Sequence, residues 1–153
     1  MMQEYSIFWV IDEIAKHYFH KSHLLYLFYR DFQNDPDRED LKRQKDYITK
    51  RFPKEILTSH IKNNYEKRSN LNIKDSEIEI YKDKQYIALH ISEKHLKFRC
   101  KTLGDAEELL FPALRQFQLN LFIIGENTSN YGWISPILAT SEYPDEQVLY
   151  SYL

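Results

Sequence analysis

The sequence predicts a mixed α+β fold, a single layer of sheet covered by helices, and three observations carry that prediction. Apolar residues recur at helical spacing through most of the first half, the period changes to two from Ile73, and Leu119 to Ile124 is an unbroken apolar run. At 153 residues the chain has the length of one ordinary domain, which buries about 70% of the surface its unfolded form exposes. We assign residues 1–137 to a single globular domain. Residues 138–153 read as a mildly acidic C-terminal tail with Tyr143, Tyr150 and Tyr152 among small and polar neighbours.

Tyr5 to Val10 is rich in β-branched and aromatic residues and predicts a buried strand. Asp12 and Glu13 then suit the positive end of a helix that reaches about His20. Ser22 is placed to cap a second helix, His23 to Phe32, carrying Leu24, Leu25, Leu27 and Phe28. Asn34-Asp35-Pro36-Asp37 makes a turn, and a third helix runs from about Arg38 to Arg51. Pro53 opens a fourth, with Leu57, Ile61 and Tyr65 at helical spacing. Ile78 and Ile80, then Ile87, Leu89 and Ile91, then Leu96, Phe98 and Cys100 alternate with polar residues. This is the pattern of an antiparallel meander with one wet face, on which Glu77 and Glu79 would oppose Lys97, Arg99 and Lys101. Gly104-Asp105 opens a further helix to about Phe117, Leu119 to Ile124 forms a central strand, and Asn127 to Pro136 is a loop.

Twenty-one basic residues against 23 acidic ones create no general field for nucleic acid or anionic lipid. The single cysteine rules out an internal disulfide, and the only N-terminal apolar run is too short for a signal peptide or membrane anchor. A cytoplasmic location is expected, with no membrane or nucleic-acid partner. Three glycines are too few and too scattered for a Walker loop, a dinucleotide fingerprint or a nucleophile elbow. Neither a cofactor nor an enzymatic activity is therefore expected. Cys100 alternates inward as a small hydrophobe. His17, His20 and His23 are spaced three apart, but the cap at Ser22 interrupts the helix that would present them to a metal. His60 and His90 fall in apolar patterns that favour hydrogen-bonded structural roles.

Surface aromatics are the more informative feature. Twelve tyrosines exceed what a core can satisfy, because each buried phenol needs a hydrogen-bond partner. On the first helix Ile11, Ile14, Ala15, Tyr18 and Phe19 span roughly 140°, wider than the ~100° one contact needs. Either all five are core, or Ala15 and Phe19 face the core while Ile14 and Tyr18 face a partner. On the third helix Leu41, Ile48 and Phe52 share a narrow sector, which turns Tyr47 outward with Gln44 beside it. An exposed Tyr next to Gln is either a ring laid over its own helix or a binding hot spot. Tyr131-Gly132-Trp133, ahead of Pro136, sets two large rings around a glycine expected at positive φ, as a lid on the core or a recognition edge.

Taken together, Ala15-x-His17-Tyr18-Phe19 after the first strand, Leu27-Phe28, Gln44-x-x-Tyr47-Ile48-Thr49, and Tyr131-Gly132-Trp133 with Pro136 resemble the SirA family, the sporulation inhibitors of replication of endospore-forming bacteria. The pieces keep family order and spacing over residues 1 to about 137. The resemblance implies an inhibitor that binds the N-terminal domain (domain I) of the initiator DnaA through a helical surface. It implies Ile14, Tyr18, Gln44 and Tyr47 as the binding face, with Pro136 also linked to activity. The family pattern carries an aromatic where Ile14 stands. Two other classes predict different structures. A small-ligand protein or enzyme would gather His17, His20, His90 or the 127–135 loop around a polar pocket, and a DNA-binding protein would bind duplex in a salt-sensitive way.

Overall fold

Strand β1 (Gln3–Val10) is the element on which the other parts converge. In the computed structural model, which describes residues 2–65 and 70–136, it pairs antiparallel with three other strands. Its alternation sends Tyr5 and Ile7 to one face of the sheet and Phe8 and Val10 to the other, and all four are buried. Burial on both faces is why the strand reads as continuously apolar.

The chain continues through α1 (Asp12–Tyr18), α2 (Ser22–Asn34), α3 (Glu39–Ile48), β2 (Thr49–Lys50) and α4 (Lys54–Tyr65). The meander follows as β3 (Asn70–Lys74), β4 (Glu77–Lys82), β5 (Gln85–Ile91) and β6 (Leu96–Cys100). Then come α5 (Leu103–Leu109), α6 (Phe111–Phe117), β7 (Leu121–Gly125) and β8 (Tyr131–Trp133). The sheet order is β3-β4-β5-β6-β1-β7-β8, with β2 attached to the end of β1, and every pairing is antiparallel. The mixed α+β class predicted from periodicity is the fold observed.

Helices cover both faces and enclose two cores. The larger packs Tyr5, Ile7 and the inward residues of β4, β5 and β6 against Leu57, Ile61 and Tyr65 of α4 and against α5 and α6. The smaller packs Phe8, Val10, Phe122 and Ile124 against Ala15 and Phe19 at α1 and Leu25, Tyr26 and Tyr29 of α2. Stacked rings fill it, Phe8 on Tyr29 at 4.2 Å and Phe19 on Trp133 at 5.5 Å between centroids.

Several boundaries differ from those expected. Lys21, not Ser22, stands at the N-cap of α2, and no side chain caps it. The third helix stops at Ile48, because Thr49 and Lys50 leave it to pair with Val10 and Trp9 of β1. Phe52 consequently does not share a helical face with Ile48: it enters the larger core while Ile48 packs against the smaller one. The helix predicted to reach Phe117 is two, α5 and α6, with Pro112 in the first turn of α6. The 127–136 loop contains β8, whose Gly132 has φ of +156° as its flanking rings suggested. On the wet face of the meander the expected opposition of Glu77 and Glu79 to Lys97 and Arg99 does not form, because β5 lies between. Glu77 faces His90, and Arg99 faces Ala88 and Glu4. The predicted tail, 138–153, lies outside the described residues.

Candidate functional site: an apolar groove between three helices

The exit from β1 sets the site. Ile11 N donates to Ile48 O at 2.9 Å, which fastens the start of α1 to the end of α3, and Asn120 Nδ2 donates to Asp12 Oδ1 at 2.6 Å on the other side of α1. Tyr29 of α2 shares a 2.7 Å hydroxyl contact with Thr49 of β2. Burial pushes the Tyr29 phenol well above its ordinary range, so it stays a neutral hydrogen-bonding group. All three helices are thereby tied to β1 or to the strand beside it.

Between them lies a groove of about 630 Å³, lined by Ile14 and Tyr18 of α1, Leu24, Leu25 and Phe28 of α2, and Arg43, Gln44, Tyr47 and Ile48 of α3. Leu25 is buried and Phe28 and Ile48 are half-buried, whereas Leu24 and Tyr47 leave 52% and 70% of their surface exposed. The lining holds one cation, Arg43, and no carboxylate.

Four residues singled out in the sequence therefore meet in one place. Ala15 and Phe19 turn into the smaller core, fully buried, and leave Ile14 and Tyr18 half-buried on the groove side. The ring of His17 stands edge-on to that of Tyr18, 4.7 Å between centroids, which limits where the tyrosine ring can point. Gln44 and Tyr47 are exposed on α3 as the wheel required. Pro136 is not brought to the groove. It is exposed beyond β8, after Ile134 has entered the larger core on the opposite face and Arg115 Nε has bonded Ile134 O at 2.8 Å.

The other candidates go to different surroundings. None of His17, His20, His90 or the 127–135 loop lines the groove. His90 bonds Glu77 at 2.6 Å on the wet face, and His60 Nε2 lies 2.7 Å from Ala113 O between α4 and α6. Among the described residues no group of three or more His, Cys, Asp or Glu could hold a metal ion, and no helix is long and apolar enough to cross a membrane. Cys100 is buried, which pushes its thiol up to about 11 and leaves it unreactive at neutral pH.

Sequence reasoning passed over Leu24, Leu25, Phe28, Arg43 and Ile48 as site residues. The available signal was the run Leu24-Leu25-Tyr26-Leu27-Phe28-Tyr29, apolar around the whole helix and so more than one buried face can absorb.

Fold and groove together define a small α+β protein that offers an apolar, tyrosine-edged surface between three helices. The chain belongs to the family of the sporulation inhibitor of replication protein SirA, whose model matches residues 3–138. It is similar to the sporulation inhibitor of replication protein SirA of Bacillus subtilis (strain 168), 26% identical over an alignment that covers 90% of this chain and 96% of that one. The function attached to the family is inhibition of replication at sporulation.

Proposed function

We propose that this chain restrains replication initiation at sporulation by seating domain I of the initiator DnaA in the groove between α1, α2 and α3. One observation carries the reading: Ile14, Tyr18, Gln44 and Tyr47, which the family resemblance implies as a binding face, come from two helices distant in sequence and line a single apolar groove. Exposed tyrosine beside leucine, with a polar Gln and Arg at the rim, is the composition from which interface hot spots are made. Ile14 in place of an aromatic removes a ring from one wall and shifts more of the contact onto Tyr18 and Tyr47. Pro136 acts in this reading by holding the chain after β8, since it lies apart from the groove. The binding unit is residues 1–137, and such a partner places the chain in the cytoplasm.

Calorimetric titration of the full chain with isolated domain I of DnaA tests the proposal. Tyr47→Ala should weaken binding by about 2 kcal/mol, roughly thirtyfold, with an unchanged circular dichroism spectrum. Wild-type affinity in a folded Tyr18→Ala/Tyr47→Ala double variant would rule the groove out.

A further inference from the structure

Behind α3, away from the groove, the structure holds a second and smaller pocket of opposite character. It measures about 130 Å³ and is lined by Lys45, Asp46, Thr49, Lys50, Arg51 and Lys94. Lys45 is the unusual member. Its side chain is 5% exposed on a helix otherwise rich in solvated charge, and its nearest carboxylate oxygen, Asp46 Oδ1, stands 3.9 Å from Nζ, too far for a hydrogen bond. The ring of Phe32 lies 5.5 Å from the same ammonium. A buried ammonium with no hydrogen-bonded anion is expensive unless something supplies one.

The neighbours add to the demand. Lys94 brings a second positive charge and Arg51 a third, partly answered from outside the pocket by Glu93 at 3.2 Å, while Lys50 lines the wall with its ammonium 5.1 Å from the ring of Trp9. Three cations, Lys45, Arg51 and Lys94, thus share Asp46, a single exposed carboxylate. Burial lowers the Lys45 pKa, Asp46 offsets only part of that, and Lys94 and Arg51 lower it further, so the ammonium is short of negative charge.

We infer that this pocket binds a single phosphoryl group carried by a small solute, with Lys45 at its floor and Arg51 and Lys94 at its mouth. Lysine serves phosphate as a point charge and arginine as a planar fork, and both are present. A duplex is the less suitable source: stable binding takes a row of phosphate contacts, on the order of six to ten, and the chain carries a net charge of −2 with an acid-and-base-mixed sheet face.

The test is thermal denaturation and calorimetry of the full chain in inorganic phosphate, against chloride at matched ionic strength. Phosphate should bind saturably and raise the melting temperature. Lys94→Gln and Arg51→Gln, both exposed and safe for folding, should each weaken phosphate binding at least threefold, and Lys45→Met at least tenfold where it folds. Lys16→Gln on α1 should change nothing. Equal stabilisation by phosphate and chloride, or undiminished phosphate binding in the Lys94→Gln/Arg51→Gln double variant, would overturn the inference. So would a twelve-base-pair duplex that displaces phosphate and loses affinity in the same variants, since the pocket would then serve a polynucleotide.

Discussion

Leu24 and Tyr47 face one another across the groove with half or more of their surfaces in water. Neither contributes much to the folded core, so replacing either should leave stability within about 0.5 kcal/mol of the parent. Their contribution is expected in the complex. Leu24→Ala should weaken binding of domain I by about 1 to 2 kcal/mol. A titration in which Leu24→Ala matches the parent would move the contact off α2. The two residues were not equally legible in the sequence. Tyr47 declares itself because α3 is otherwise polar and its one buried sector is fixed by Leu41 and Ile48. Leu24 is hidden in a helix with apolar side chains on every side, where nothing local separates a groove wall from a core contact. Lys45 was missed for the converse reason: a lysine beside Leu41 and Ile48 on the wheel is ordinarily drawn to solvent, and only tertiary packing by Phe32 and the turn before β6 buries it.

At the scale of elements, two turns hold the sheet in register. The turn joining β5 to β6 keeps its geometry through Ser92, whose hydroxyl donates to His95 O at 2.8 Å. Burial, with help from Lys97, Lys45, His90 and Lys94, pushes the His95 ring down to about 4 from an ordinary 6.5. The unfolded chain therefore takes up this proton near pH 6.5 and the folded one near pH 4. Between those values the unfolded state holds more protons, so stability falls as the solution is acidified. The loss should approach 2 kcal/mol, less than the full conversion because the ring keeps some contact with water. Denaturant titrations at pH 7 and pH 4.5 measure it. In His95→Asn the part due to this ring should disappear, and an unchanged difference would assign the acid sensitivity to other groups. The turn joining β7 to β8 depends on Gly125. A Cβ there would stand 2.1 Å from Thr128 Oγ1 and 2.8 Å from Thr128 O. Gly125→Ala should cost about 2 kcal/mol or more through displaced backbone, read as a lowered midpoint of unfolding. A midpoint within 0.5 kcal/mol of the parent would mean that the turn gives way without resistance.

The long periodic elements were legible because each buries one face, as in α4, or two, as in β1 and β7. The short ones were not. β2 is two residues whose identity as a strand comes wholly from their pairing with Trp9 and Val10. β3 has a single half-buried side chain, Leu71, and so no period to detect. The division between α5 and α6 falls at Leu110, a buried apolar residue that continues the helical pattern across the break.

For the molecule as a whole, the decisive fact is that two cores share one sheet. β1 and β7 contribute to both, Ile7 and Ile123 on one side and Phe8 and Phe122 on the other. Neither core can open without stripping these strands of a packed face, so unfolding should be a single transition. Ile61→Val in the larger core and Leu25→Ala in the smaller should lower the same midpoint, by about 1 and 3 kcal/mol. Two separated transitions in either variant would show the cores to be independent. Assembly at this scale was legible only in outline. The sequence indicated a sheet with helices, but which helices take which face follows from the reversal at Ile11 and Lys50, where hydrogen bonds between distant segments decide the path.

The placement of the two tryptophans gives this architecture an optical consequence. Trp9 packs against the larger core beside Phe52 and Phe117, with Lys50 Nζ 5.1 Å from its ring, and Trp133 packs in the smaller core against Phe19 and Phe122. Both indole N–H groups are buried without a hydrogen-bond acceptor. The chain is thus labelled once on each side of its sheet, with intrinsic fluorophores in differently polarised surroundings. With Trp9 changed to phenylalanine, the remaining emission comes from a ring stacked on the residue next to Tyr18, and its colour and intensity become a label-free report on the end of α1 as the groove fills.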